Sequence, residues 1–268
     1  MKKIFKIIGI CFLTCFSFYY TDKIIDLSKK KDPIMKEIVK YSKEHNTMPV
    51  SAIINDNYLE SGYIGYTVDI DKSYQRMKKL GKFDESLIIY KENYPDNTIK
   101  DNYDKYIIKS NTNNYLISLI IIMENNDNLD EILGILKDND IITTFFVKNL
   151  DSSLEKISNL GHNIGIMNNN VKHDLNIINK YNNNNTYCYL TEEDKDFIEN
   201  CSKLKLNTIL SNKINKNLYH EVKENLNKGT IFSITNSSSN VKMLDTSIKY
   251  IKQKGYDIID IDKLLNES

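Results

Sequence analysis

The chain has no tryptophan, three prolines, four cysteines, a single arginine at Arg76 and a formal net charge of zero over 268 residues. Each shortage excludes something. Balanced charge leaves no concentrated basic surface of the kind that phosphate neutralisation demands, which argues against a nucleic-acid partner. Four cysteines are too few for a disulfide scaffold, and a chain of this length buries enough surface to fold around one core without one, with room for a smaller attachment. With no arginine after Arg76, any site that needs a guanidinium in the later two thirds of the chain is ruled out. Basic residues are otherwise lysine, and isoleucine, asparagine and tyrosine are abundant. That bias is of the kind an AT-rich genome imposes, so the asparagine runs Asn168–Asn170 and Asn182–Asn185 carry little functional information.

What is present begins with Lys2, Lys3 and Lys6 ahead of an apolar run from Ile7 to Tyr20. A positive flank before an apolar run is an export or anchoring signal. The run is about 14 residues against the ~20 that cross a bilayer as a helix, and Ile4 and Phe5 extend it if Lys6 snorkels. Bulky Phe18, Tyr19 and Tyr20 leave no small-residue cleavage site, so the expectation is an uncleaved signal anchor over residues 1–22. The protein is then single-pass in the cell membrane, with its C-terminal part extracytoplasmic. Cys11 and Cys15 fall inside the anchor, leaving Cys188 and Cys201 beyond it. A disulfide between these two would close a loop of about 14 residues and contribute roughly 3 kcal/mol. Two small buried thiols are the alternative that spacing leaves open.

Residues 23–48 are lysine-rich with scattered apolar positions and read as a stalk. Residues 49–112 carry short apolar runs, Ser51–Ile54 and Leu87–Tyr90, punctuated by Gly62, Gly65, Gly81 and Pro95, and read as a small strand-containing segment with a helix over 73–80. From residue 113 to 268 apolar runs alternate with amphipathic stretches. Tyr115–Ile122 is nearly all apolar, as a strand covered on both faces must be. Leu129, Ile132, Leu133 and Leu136 follow at helical spacing. Ile141–Val147 is a second strand, and Ser152 with Glu155 has capping-box spacing for a helix that Gly161 stops. Further strands are expected at 163–166, 186–190, 207–210, 230–234 and 257–259. Seven such repeats imply a parallel sheet, with a ligand site at the carboxyl ends of its strands.

The runs Ile117-Ser118-Leu119, Ile141-Ile142-Thr143-Thr144-Phe145-Phe146-Val147 and Leu160-Gly161-His162-Asn163-Ile164-Gly165, with a closing Gly255-Tyr256-Asp257-Ile258-Ile259, resemble in order and spacing the polysaccharide deacetylase (NodB-homology) family. The resemblance covers about residues 114–265. It implies an α/β fold, a distorted (β/α) barrel of about seven repeats carrying the small N-terminal segment and the anchor. The family's activity is removal of acetyl groups from N-acetylated cell-wall sugars. That chemistry uses a divalent metal with an open position, a carboxylate base and a histidine acid. Residue by residue, the family's aspartate pair falls on Ile122 and Met123 and its two histidine ligands on Met167 and Val171. Isoleucine and valine have no lone pair to donate, and a thioether is a soft, neutral donor unsuited to activating water. The arginine–proline segment falls on Tyr187-Cys188-Tyr189-Leu190, and the late leucine–histidine pair on Ile234-Thr235.

The resemblance therefore implies a pseudoenzyme with no catalytic residues, no metal and no cofactor. Its role would be a cell-envelope one, binding a cell-wall glycan or an envelope protein, with Glu124, Asn168, Tyr189 and Asn236 as the cleft candidates. The alternative is an active deacetylase with a rearranged site drawn from Glu124, Asp127, His173, Asp174 and His220. A third reading is a purely structural partner in a membrane assembly, meeting it through residues 49–110. His162, inside the strand motif, reads as a structural hydrogen-bonding group.

Overall fold

The computed structural model describes residues 2–182 and 186–267, with side chains from residue 12 onward except that of Asp22. Asn183–Asn185 of the second asparagine run and the side chain of Cys11 lie outside the described residues.

In chain order, helices α1 (Lys2–Lys31) and α2 (Pro33–His45) precede short strands β1 (Ile53–Ile54) and β2 (Tyr58–Ser61). Strand β3 (Gly65–Val68), helix α3 (Ile70–Leu80) and strand β4 (Tyr90–Asn93) follow, then β5 (Tyr106–Ser110). From there the chain alternates as β6 (Leu116–Met123), α4 (Leu129–Asp138), β7 (Thr144–Val147), α5 (Ser153–Asn159), β8 (Asn163–Ile166) and α6 (Val171–Ile178). It continues with β9 (Cys188–Leu190), α7 (Lys195–Lys203), β10 (Thr208–Leu210), β11 (Lys213–Ile214) and α8 (Leu218–Asn225). It ends with β12 (Ile231–Thr235), α9 (Ser238–Gln253), β13 (Asp257–Ile258) and α10 (Ile261–Leu264).

Residues 2–22 run on into the first part of the expected stalk as one helix, α1, and among the described residues no helix is long and apolar enough to cross a membrane. The reason is length and charge: the apolar run stops well short of the ~20 residues a bilayer requires, and Asp22, Lys23 and Asp26 enter the next turns.

The chain forms two compact units, residues 1–48 with 65–93 and residues 49–64 with 94–268, so the segment 49–112 is shared between them. In the first unit, α2 and α3 meet over Met35, Ile38, Tyr74 and Met77, with Val68 from the β3–β4 antiparallel pair. Asp32 begins α2, where Pro33 is pre-set for the first turn. One carboxylate oxygen caps the Ile34 amide at 2.9 Å and the other accepts the Tyr74 hydroxyl at 2.8 Å. The apolar run 87–90 is not a single strand. Asp84 caps a 3-10 turn over Glu85–Leu87, and extended pairing begins only at Tyr90.

The second unit holds an eleven-stranded sheet in the order β1-β2-β5-β10-β9-β8-β7-β6-β12-β11, with β13 also on β6, and every pairing but β1–β2 is parallel. Alternation along β6 explains its all-apolar sequence. Ile117, Leu119, Ile121 and Met123 enter a core shared with the α4 stripe Leu129, Ile132, Leu133 and Leu136. Ile120 and Ile122 enter a second core with Leu59, Ile107, Phe146, Tyr189 and Ile209. Successive side chains on a strand face opposite ways, so a strand with a core on both sides must be apolar throughout. Two glycines are required by close approach. A side chain at Gly165 would meet the Phe146 ring at 2.2 Å, and one at Gly229, where φ is +76°, would strike the Ser110 carbonyl oxygen at 1.8 Å. The expected capping box at α5 does not form. Ser152 makes no side-chain cap, and the Asp151 carboxylate takes the Ser153 amide at 2.8 Å instead.

Candidate functional site

Strand register brings the family's site positions to one place. Met123, Val147 and Ile166 are level across β6, β7 and β8, and Met167 follows directly, while Val171 is the first residue of α6. The scaffold thus delivers all four positions to the carboxyl ends of the strands, where a parallel sheet places a ligand site. Their chemistry is that of a core. Ile122, Met123 and Val171 are 0, 2 and 2% exposed. Ile122 packs in the inner cluster with Phe146 and Tyr189, whose rings lie 5.1 Å apart, and Met167 packs against the same cluster. A divalent ion with a water to activate does not fit these residues, which offer apolar surface and thioethers where carboxylates and imidazoles are needed. Among the described residues no group of three or more histidine, cysteine, aspartate or glutamate side chains could hold a metal ion.

Of the four cleft candidates the structure brings two together. Glu124 and Asn236 line a cavity of about 260 Å3, with Asn125, Asp127, Asn215 and Ser237 among its walls. The Glu124 carboxylate accepts Lys213 Nζ at 2.7 Å, and that hydrogen bond holds its pKa below the usual value. Asn236 is a tie between loops: its amide donates to Asn125 O and Oδ1 and to Asp127 O at 3.0, 2.8 and 2.9 Å, while its carbonyl accepts Asn128 Nδ2. Asn168 and Tyr189 lie elsewhere. Asn168 donates to Lys148 O and to Asp174 Oδ2, fastening the β8–α6 turn. Tyr189 is in the inner core and donates its hydroxyl to Ser211 O at 2.9 Å; burial pushes its pKa up to about 12.

Of the residues of a rearranged site, Glu124 and Asp127 share one cavity and His173 adjoins Asp174, but among the described residues no three such groups gather as a metal would require. His173 is exposed beside Asp174 at 3.2 Å, His220 pairs with Glu224 at 3.3 Å on α8, and Asp127 accepts Asn125 Nδ2 at 2.8 Å. His162 is buried against Phe145, its Nδ1 accepts the Thr143 amide at 3.3 Å, and burial lowers its pKa to about 4. Cys188 on β9 and Cys201 on α7 form a disulfide, with Cα atoms 6.5 Å apart. Sequence reasoning missed Lys213, the partner of Glu124, because it sits on the two-residue strand β11, too short to leave a periodic signal.

No family model matches the sequence. Among curated proteins the chain is 27% identical over 148 residues to the uncharacterized protein YlxY of Bacillus subtilis (strain 168), covering 53% of this chain and 46% of that one. The match therefore spans about half the length of that relative. The structure of the present chain is similar to that of a wild-type CE4 family pseudoenzyme from Bacillus anthracis, with 24% identity over 88% of this chain and 96% of that one and a TM-score of 0.70. A mutant of that pseudoenzyme with restored enzymatic activity aligns at 24% identity over 88% of this chain and 99% of that one, again at 0.70. Bacillus subtilis PdaA, a family 4 carbohydrate esterase, aligns at 20% identity over 62% of this chain and 86% of that one, at 0.51. These likenesses show the fold: a mixed α/β architecture with a mostly parallel central sheet, consistent with that of family 4 carbohydrate esterases.

Proposed function

We propose that this chain is a deacetylase-like pseudoenzyme that has kept the scaffold of the polysaccharide deacetylases without their reaction. It serves outside the cytoplasm as a cell-envelope protein that binds a glycan or another envelope protein. The observation that carries the reading is the set Ile122, Met123, Met167 and Val171 packed as core where a metal and its water would need donors. Its likeness to a named pseudoenzyme supports the same reading. A location outside the cytoplasm is supported by the Cys188–Cys201 disulfide, since such bonds persist in oxidising compartments. A distorted barrel is the proposed form of the sheet. Ser110 N donates to Gly229 O at 2.9 Å, which sets the end of β5 beside the segment entering β12. The cavity between Glu124 and Asn236 is the proposed remnant of the glycan cleft.

The test is metal content together with acetate release, measured on the purified, oxidised protein with N-acetylated peptidoglycan fragments. The expected result is no stoichiometric zinc and no acetate above the protein-free control, with retention of the chain on insoluble peptidoglycan or on an envelope protein. Stoichiometric zinc with turnover would instead establish an active deacetylase with a rearranged site.

A further inference from the structure

While apolar side chains fill the carboxyl ends of the strands, a larger polar cavity opens at the opposite end of the sheet. About 610 Å3 in volume, it lies among residues 98–103, the segments entering β9 and β10, and α10 with the residues after it. Its charges are sorted. The acidic side chains of its wall are already engaged: buried Glu267 accepts the Gly62 and Ile99 amides, the latter at 2.6 Å, and half-buried Asp262 accepts the Tyr187 hydroxyl at 2.9 Å. The basic side chains are not. Lys100, Lys205 and Lys263 line the cavity and are exposed, and among the described residues none of the three joins an ion pair. Asn207 also lines it, and its Oδ1 is buried with no hydrogen-bond partner. Lys205 adds a second irregularity, because its backbone is left-handed at φ +57°. The other non-glycine residues in that region are asparagine or aspartate, which tolerate it better.

We propose that this cavity binds a small anionic sugar, a sugar phosphate or a sugar acid. Three unpaired ammonium groups around one opening select an anion. Asn207 lines the cavity with an amide whose oxygen has no donor; turning that amide about its terminal torsion brings the oxygen to the opening, where it accepts a hydroxyl that a bare anion lacks, and an unmet buried acceptor costs about 1–3 kcal/mol. The volume falls within the range of small-molecule sites. The site is independent of the carboxyl-end cleft, so its failure would leave the reading as a deacetylase-like pseudoenzyme untouched.

Calorimetric titration of the whole oxidised chain tests it, using glucose 6-phosphate and glucuronate as anionic sugars, with inorganic phosphate and glucose as the separated halves. At least one anionic sugar is expected to bind saturably, about tenfold or more tighter than phosphate or glucose, and more weakly as salt rises. Lys100→Ala, Lys205→Ala and Lys263→Ala combined should lower that affinity about tenfold or more at unchanged circular dichroism. Asn207→Ala should bring the anionic sugar and phosphate to similar affinity. Absence of saturable binding by both anionic sugars, equal binding of phosphate by the native chain, or an unchanged affinity in the triple-lysine variant would each overturn the proposal.

Discussion

His162 illustrates how one residue's environment sets its part in stability. An unfolded histidine titrates near 6.5, and burial takes this one down to about 4, so the folded chain holds fewer protons than the unfolded chain between those values. Its stabilising share is therefore complete above about pH 6.5 and is lost as pH falls toward 4, on the order of 3 kcal/mol. Asp260 and Glu267 act in the opposite sense: burial raises both carboxyl pKa values, so the folded form gains as pH falls. The comparison that isolates the imidazole is His162→Asn, which can keep an acceptor for the Thr143 amide and has nothing to titrate. Urea unfolding at pH 7.5 and pH 5 should show a smaller acid loss in the variant than in the native chain; equal losses would remove His162 from the account. The glycine–histidine motif was readable from the sequence. Its neutrality was not, because desolvation comes from Phe145 and the elements packed around it.

Among the elements, β9 and α7 are joined by the Cys188–Cys201 bond, and both sulfur positions are fully buried. Closing a loop of this size contributes about 3 kcal/mol in the chain-entropy account. Reduction leaves both thiols in place and removes only the link, so the reduced chain should unfold at lower urea, with an unfolding free energy smaller by about 3 kcal/mol; coincident curves would show the bond to be without effect. Sequence spacing left bonded and free cysteines both open and favoured free thiols, since the separation of 6.5 Å between their Cα atoms is set by how α7 returns beside the sheet. Periodicity served better inside elements than at their ends. The stripe Leu129, Ile132, Leu133 and Leu136 was legible and packs as read, whereas the cap of α5 moved from Ser152 to Asp151. A cap depends on one backbone angle, a stripe on the sum of several burials.

For the molecule as a whole, apolar side chains at the four family positions, with no cluster of metal donors among the described residues, have a thermodynamic consequence. A metal that binds only the folded state raises its stability by mass action, about 2.7 kcal/mol at a hundred times Kd. Thermal melting of the native chain should therefore be the same in micromolar zinc and in chelator, and a zinc-dependent rise in Tm would contradict the reading of Ile122, Met123, Met167 and Val171 as core. Those four identities are covalent facts, as are the alternation of apolar runs with amphipathic stretches from residue 113 and the absence of arginine after Arg76. Sequence alone could determine them because folding cannot add a lone pair to isoleucine or a guanidinium to a chain that lacks one. Tertiary structure decided the rest. The partnership of Glu124 with Lys213, the place of β5 between β2 and β10, the disulfide and the lysine-lined cavity all join residues distant along the chain. Their meeting depends on which strands pair and in what register, and local patterns of hydrophobicity do not encode that order.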